Sequence, residues 1–239
     1  MINPVNYISD PSDESLVGLC ASGVISAIAD AWTNTKTAHI VITGGRTGLA
    51  IVKAIDIALF KLVRENRSFE GSMLHVWFSD ERFTSFDNPD RNDSTLIAGF
   101  GMCKSHIVFH RVDTEGDLDQ AAANYAAEVA LELGSRPFDA VVLSMGEDGH
   151  IASLFPGLFE PGVATSAIAV HNSPKLPPQR VSLSLTRLGN ALHIYIFALG
   201  EAKAAALQSI QTGPVGALEK SSPNGQLQIL TDLSAPANN

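Results

Sequence analysis

Cysteine and positive charge are both scarce in this sequence. The 239-residue chain has two cysteines, Cys20 and Cys103, which belong to no CxxC or His-linked pattern. Nothing therefore indicates a zinc site or a disulfide framework, and we expect a reducing, cytoplasmic setting. Lys and Arg number 16 against 25 Asp and Glu, which gives a net charge of −9. Because clustered cations supply most of the affinity for nucleic acids, we expect no nucleic-acid partner.

A positively charged leader is also missing ahead of the one long uncharged stretch. Residues 15–29 carry no charge, and the first Lys or Arg of the sequence is Lys36. The polar residues of this stretch recur at helical spacing, so the opposite face of the predicted helix is apolar and typical of a core helix. We therefore expect no membrane partner.

The composition is ordinary for a globular enzyme. Apolar residues make up 45% of the chain and charged residues 17%, and the length suffices to bury about 70% of the unfolded surface. No Gly-, Ser- or Pro-rich linker and no repeat divides the sequence, so we expect one domain over 1–239. The sequence does not determine the oligomeric state, and a monomer is favoured.

Apolar runs alternate with helical stretches along much of the chain. The predicted strands are 39–43, 73–78 and 138–143, and the predicted helices are 47–65, one near residue 94, 117–133 and a short one that begins at residue 151. Strands that are continuously apolar and alternate with helices indicate a doubly wound, mainly parallel α/β sheet with helices on both faces.

The C-terminal part shows a looser pattern. Strands are predicted at 180–185, 192–199 and 227–230, a helix at 201–211, and a frayed tail at 234–239. Because these strands lie close together along the chain, this part is expected to include a small mixed or antiparallel region.

Two polar loops follow predicted strands, where open parallel sheets bind ligands. The first contains Gly44, Gly45, Arg46 and Thr47, and its glycines and helix start offer backbone N–H groups to an anion. A simple turn is the alternative interpretation. The second begins with Asp80, Glu81 and Arg82, of which Arg82 has the planar guanidinium that grips phosphate. A solvated turn with a local ion pair is the alternative here, while Arg91 and Asn92 either cap the next helix or line the same crevice.

The third loop, Gly146 to His150, contains the residue most typical of catalysis. A histidine at the start of a helix is kept neutral by the helix dipole, as a general base must be at pH 7. Asp148, two residues earlier, is placed to orient that ring or to contact a substrate hydroxyl. The other six histidines have no such setting and are interpreted as structural: His39, His75, His106, His110, His171 and His193.

Two further cations are candidates for an anion site. Arg180 follows the stiff segment Pro174–Pro178, and Lys203 lies in the predicted first turn of a helix, where its charge opposes the helix dipole. A bound anion would compensate that charge, and so would the nearby Glu201.

Taken together, the segments GGRTG, WFSDERF, NPDRND, SMGEDGHIASLFPG, PKLPPQRVSLSL and GEAKAAAL resemble the 6-phosphogluconolactonase family over roughly residues 40–210. The resemblance implies cofactor-free hydrolysis of 6-phospho-D-glucono-1,5-lactone in the oxidative pentose phosphate pathway. It implies that His150 activates water, that Asp148 helps to place His150, and that no metal takes part. The implied substrate-binding residues are Gly44, Gly45, Arg46, Thr47, Asp80, Arg82, Arg180 and Lys203. Arg46 departs from the small hydroxyl residue that the family commonly has.

Three alternatives stay open on the sequence. The related glucosamine-6-phosphate deaminases and isomerases need a further carboxylate after the histidine, where this chain has Ser153 to Pro156. A sugar-phosphate sensor would carry a basic DNA-recognition helix, which is not evident. A metal hydrolase would show a ligand-like spacing of His and carboxylates, and none stands out.

Overall fold

A seven-stranded parallel sheet forms the centre of the protein, as described by a computed structural model of residues 6–221 and 226–234. The strands are β1 Asn6–Ser9, β2 Thr37–Ile42, β3 Met73–Phe78, β5 Ile107–His110, β6 Phe138–Ser144, β9 Ala191–Ala198 and β10 Gln226–Thr231. Their order in the sheet is β1-β10-β9-β6-β2-β3-β5. The doubly wound α/β fold predicted from the alternating pattern is confirmed.

A smaller antiparallel sheet consists of β4 Asp80–Arg82, β7 Ala167–Val170 and β8 Arg180–Leu183. Its strand order is β4-β8-β7. The predicted antiparallel part therefore exists, but only β8 of the C-terminal strands belongs to it. The strands β9 and β10 pair in parallel within the main sheet.

Helices cover both faces of the main sheet. They are α1 Asp13–Thr35, α2 Gly45–Glu65, α3 Asn92–Gly99, α4 Leu118–Leu133, α5 Leu185–Gly189, α6 Ala204–Gln208 and α7 Pro214–Ser221. Residues alternate between two cores along each strand: Ile40 and Ile42 pack with α1 to α3, whereas Val41 packs with α4 to α7. By length and composition α1 could cross a membrane, but its apolar stripe from Leu16 to Trp32 is buried against the sheet.

Two predicted helices differ from the structure. The helix expected from residue 151 is absent, because Ala152 adopts a left-handed φ of 51° and Ile151 bridges to Leu154 in a tight turn. The helix expected over 201–211 is split into the 3₁₀ turn Glu201–Lys203, the short α6 and the 3₁₀ turn Ile210–Thr212. Residues 235–239 of the predicted frayed tail lie outside the described residues.

Candidate active site

A cavity of about 310 Å³ opens at the carboxyl ends of β2 and β6. Parallel α/β sheets place ligands at this edge, where the loops after the strands meet. Seven of the residues predicted from the sequence line it: Gly44, Gly45, Asp80, Arg82, His150, Arg180 and Lys203. The cavity therefore brings together the three predicted loops, of which residues 44 and 150 are 106 positions apart, with Arg180 and Lys203.

His150 and Asp148 form a hydrogen-bonded pair at this cavity. Asp148 Oδ1 lies 2.5 Å from His150 Nδ1, so the Nδ1–H donates to the carboxylate and leaves Nε2 unprotonated. Gly146 makes the arrangement possible, since a Cβ there would stand 2.1 Å from the imidazole ring. Phe155 packs against the ring with centroids 4.6 Å apart. A histidine held in this tautomer can accept a proton through Nε2.

The neutral state of His150 has a different cause from the one predicted. No helix begins directly after His150, so the predicted effect of a helix dipole on the ring is wrong. Burial of the ring lowers the pKa of His150, Asp148 opposes that shift, and the charge of Lys175 adds to it. Burial alone would raise the pKa of Asp148, but the hydrogen bond with His150 and the nearby positive charges hold it below its ordinary value. The pair is thus poised as neutral imidazole and carboxylate.

Asp80 is fixed from several sides at the start of β4. Ser153 Oγ donates to its Oδ2 at 2.7 Å, and Ser79 Oγ donates to its Oδ1 at 3.1 Å. Arg180 Nη1 lies 3.8 Å from Oδ2. The residue is buried and lines the cavity. Its carboxylate is therefore an acceptor held in one orientation.

Arg82 and Asn92 are brought to the cavity by the buried carboxylate of Glu81. Its oxygens accept the backbone N–H groups of Arg82, Asn92 and Asp93, each at 2.8 Å. Burial and the charge of Asp93 raise the pKa of Glu81 to about 7. Asn92 also packs so closely on Gly44 that a Cβ at residue 44 would overlap it. The first turn of α3 and the glycine loop thus form one wall of the site.

Arg180 uses most of its guanidinium to hold a neighbouring loop. Nε donates to Pro177 O at 3.1 Å, and Nη2 donates to the carbonyl oxygens of Lys175 and Leu176 at 3.1 and 3.0 Å. Nη1 instead lies 3.8 Å from Asp80 Oδ2. Arg180 lines the cavity, and Nη1 is the nitrogen that these backbone bonds leave for its predicted role as a substrate ligand.

Arg46 and Thr47 line a second cavity of about 550 Å³ rather than the first. The two cavities share Gly44, Gly45, Ser144 and Lys203, so they are adjacent. Burial lowers the pKa of Lys203, while Glu147 opposes the shift. Lys203 follows Gly200, whose N–H is bound by Asp232 at 2.8 Å.

The remaining histidines lie away from this cavity. His39, His75 and His110 occupy neighbouring strands, where the His75 ring contacts the other two histidine rings. The His110 ring stacks on Trp77 with centroids 3.6 Å apart. Across residues 6–221 and 226–234, no three His, Cys, Asp or Glu side chains are grouped so that they could hold a metal ion.

Sequence reasoning missed Lys175 and Leu176 as lining residues of the site. Both belong to the segment PKLPPQ, whose prolines indicated only stiffness. The sequence allows Asn92 either a capping or a lining role, and in the structure Asn92 lines the cavity. The one signal for Lys175 was a cation within a rigid loop close ahead of Arg180.

Comparison with known proteins places the chain in a family. The family model described as glucosamine-6-phosphate isomerases/6-phosphogluconolactonase matches residues 11–227. A 6-phosphogluconolactonase of Streptomyces coelicolor is 32% identical, covering 84% of this chain and 80% of that protein. One of Mycobacterium tuberculosis is 30% identical, covering 82% of each. The crystal structure of a 6-phosphogluconolactonase from Shewanella baltica superposes with a TM-score of 0.79 at 21% identity, over 97% of this chain and 99% of that one. This chain belongs to the glucosamine-6-phosphate isomerase/6-phosphogluconolactonase family.

Proposed function

We propose that this protein hydrolyses 6-phospho-D-glucono-1,5-lactone to 6-phospho-D-gluconate. The observation that carries the proposal is the Asp148–His150 pair at a cavity lined by Arg82, Arg180 and Lys203. A neutral histidine suits the activation of water, and local cations suit a phosphorylated substrate on a protein of net charge −9. The curated relatives named above support the choice of substrate.

In the proposed reaction His150 Nε2 takes a proton from a water molecule as the water oxygen attacks the lactone carbonyl. A tetrahedral intermediate forms, its negative charge on the former carbonyl oxygen. When the intermediate collapses, the bond from the carbonyl carbon to the ring oxygen breaks, and the imidazolium returns its proton to that oxygen. Asp148 stabilises the transient imidazolium through the Nδ1–H bond. Water and the lactone are thus converted to one hydroxy acid without a cofactor.

The cations and the glycine loop bind the substrate in this proposal. Arg82 and Lys203, together with the backbone at Gly44 and Gly45, attract the phosphate. Asp80 accepts hydrogen bonds from sugar hydroxyls, because its carboxylate is held facing the cavity. Arg46 and Thr47 line the adjacent cavity beside the same glycine loop, and in this proposal they add to the anion site. Arg180 contributes the positive charge of Nη1.

Within the family, the lactonase is favoured over the deaminase or isomerase by the turn after His150. That turn contains Ser153, whose hydroxyl is bound to Asp80, and the apolar Leu154 and Phe155, so it adds no carboxylate for ring opening. The wider setting belongs to the same proposal: a cytoplasmic, single-domain monomer that acts on a small molecule, with no nucleic-acid or membrane partner.

A rate comparison between two lactones tests the proposal. Freshly prepared 6-phosphogluconolactone and its unphosphorylated counterpart are followed by acid release, each against a blank without protein. The blank is essential because such lactones also open in water. We expect acceleration well above the blank for the phosphorylated lactone, and a far smaller kcat/KM for the unphosphorylated one because the cations lose their partner. Equal rates with and without protein would refute the activity, and equal kcat/KM for both lactones would refute the phosphate site.

A further inference from the structure

The segment Ser173–Pro178 borders the cavity and has no role in the mechanism above. It is closed on itself, since Ser173 N donates to Pro178 O at 2.9 Å and Ser173 Oγ donates to Lys175 O at 2.9 Å. Two of its side chains, those of Lys175 and Leu176, line the cavity. Leu176 is 87% exposed, so packing of that side chain does not hold the segment in place.

The guanidinium of Arg180 holds the segment instead. It donates to three consecutive carbonyl oxygens, those of residues 175, 176 and 177, at 3.0–3.1 Å. Arg180 is itself 4% exposed. Its backbone lies opposite that of Arg82 in the antiparallel pairing of β8 with β4. A buried, planar donor group that binds successive carbonyls leaves the backbone at Lys175 little freedom.

The ammonium of Lys175 is thereby directed at the catalytic pair. Its Nζ lies 3.8 Å from Asp148 Oδ1, the same oxygen that is 2.5 Å from His150 Nδ1. Both members of the Lys175–Asp148 ion pair are partly solvated, with side chains 45% and 40% exposed. An ion pair this exposed contributes little to the free energy of unfolding. Stabilisation of the fold therefore does not explain its position beside His150.

We propose that Lys175 is a positioning residue for the proposed reaction, which acts through Asp148 to keep His150 unprotonated and correctly turned. The positive charge of Lys175, near Asp148 Oδ1, favours the ionised carboxylate. It also disfavours a second positive charge on the neighbouring imidazole ring. The base therefore stays available at a more acidic pH than it would without the lysine. The catalytic role of Lys175 rests on the proposed function. The effect of Lys175 on the protonation of His150 does not, because it is present without substrate.

Other charged groups also surround His150. Asp148 and Asp80 both raise the pKa of His150, Asp80 from β4, whereas Lys175 lowers it together with burial. Lys203 is close enough to Glu147, Asp148 and Lys175 for their charges to act on its pKa. Arg82 and Arg180 also line the cavity, each tied to backbone carbonyls.

The test compares Lys175→Met, which keeps the apolar stem and removes the charge, with Lys175→Arg, which keeps the charge. Lys61→Met, at an exposed position on α2, is the control for loss of one lysine. The first readout is the NMR titration of the His150 ring without substrate, assigned by its loss in His150→Gln. The second is kcat/KM for the phosphorylated lactone against pH.

We expect the His150 midpoint to move to higher pH in Lys175→Met and to stay unchanged in Lys175→Arg and Lys61→Met. At the acidic end of the profile, kcat/KM of Lys175→Met should fall by about threefold or more, with wild-type values restored at alkaline pH. An unmoved midpoint in Lys175→Met, or an equal shift in Lys61→Met, would overturn the inference. So would a rise in KM that is the same at every pH, since Lys175 would then bind substrate. A wild-type protein without lactonase activity would refute the proposed function, while the ring titration would still decide the inference.

Discussion

The imidazole of His150 is held between the backbone of its own loop and the ring of Phe155. Gly146 N–H donates to His150 O at 2.8 Å, which closes the loop and brings residue 146 beneath the ring. A Cβ at residue 146 would stand 2.1 Å from Nδ1 and 2.7 Å from Asp148 Oδ1. The geometry of the proposed catalytic pair thus depends on residue 146 having a hydrogen atom in place of a Cβ.

Replacing Gly146 with Ala should therefore lower kcat with the fold intact. The new methyl group must displace the ring or the carboxylate, and misplacement by about 1 Å can cost about 10²-fold in rate. Gly162→Ala is the matched control, since a Cβ there meets nothing within 4 Å. Kinetics and far-UV circular dichroism on both variants make the measurement. A Gly146→Ala enzyme as fast as the control would show that the close contact does not orient the base.

At the residue scale, local spacing made the pairing of Asp148 and His150 predictable, because two residues in one loop can meet whatever the rest of the chain does. The predicted cause of the neutral ring, a helix dipole, was wrong. The actual cause is burial, which depends on residues from elsewhere in the chain that pack on the loop. The contact of Lys175 with Asp148 was missed for a similar reason, because it joins two loops that only the fold brings together. Hydrogen bonds from Arg180 to the carbonyl oxygens of residues 175–177 then hold the second loop in place.

The first turn of α3 is joined to β4 and the loop after β5 by buried charges. Arg91 and Asp93 form a salt bridge of 2.5 Å with both side chains 0% exposed, and Arg111 Nε lies 2.8 Å from the same carboxylate. Burial alone would raise the pKa of Asp93, but its hydrogen bonds with the two arginines lower it to about 2. Since the folded pKa lies below the ordinary value of 3.8, the stabilisation is complete above that value and is lost as the pH falls towards 2.

Asp93→Asn should lower the free energy of unfolding by about 3–5 kcal/mol at pH 7, because breaking a buried ion pair leaves the partner charge uncompensated. Asp90→Asn, three residues earlier at an exposed position, should change it by less than about 0.5 kcal/mol. Urea denaturation followed by circular dichroism measures both. A loss below 1 kcal/mol in Asp93→Asn, or equal losses in the two variants, would contradict the role given to this pair.

Among the elements, the long apolar strands β2, β3, β6 and β9 were predictable, since a continuous apolar run is typical of a strand buried on both faces. The short strand β4 consists of Asp80, Glu81 and Arg82, which no hydrophobic pattern marks. It forms only because β8 offers its backbone as an antiparallel partner. The prediction of a helix after His150 was wrong, because Ala152 adopts a left-handed conformation in the turn.

At the scale of the whole molecule, one sheet joins the two ends of the chain. The strand β1 pairs with β10, so residues near the N-terminus and residues 226–231 share the sheet edge. Trp32 belongs to the core between α1, α2 and the sheet, and Trp77 to the core on the opposite face. Each tryptophan is fully buried and reports on one face alone.

The two faces should therefore unfold together. In Trp32→Phe the fluorescence reports the α4 face, and in Trp77→Phe it reports the α1 face. Within each variant we expect the fluorescence and circular dichroism midpoints in urea to coincide, because both faces share the same seven strands. A fluorescence midpoint separated from the circular dichroism midpoint in either variant would show that the chain is not a single cooperative unit.

The proposal that Asp148 and His150 form the catalytic pair is tested by removing the imidazole ring of His150. The same substitution in a second, exposed His–Asp pair serves as the control. His171 lies 3.0 Å from Asp119, which makes His171→Gln a matched control at the surface. Initial rates on fresh 6-phosphogluconolactone are measured for wild type, His150→Gln, His171→Gln and a blank. The account predicts a fall in kcat of about 10²- to 10⁴-fold in His150→Gln alone. A folded His150→Gln protein that keeps the wild-type rate would contradict it.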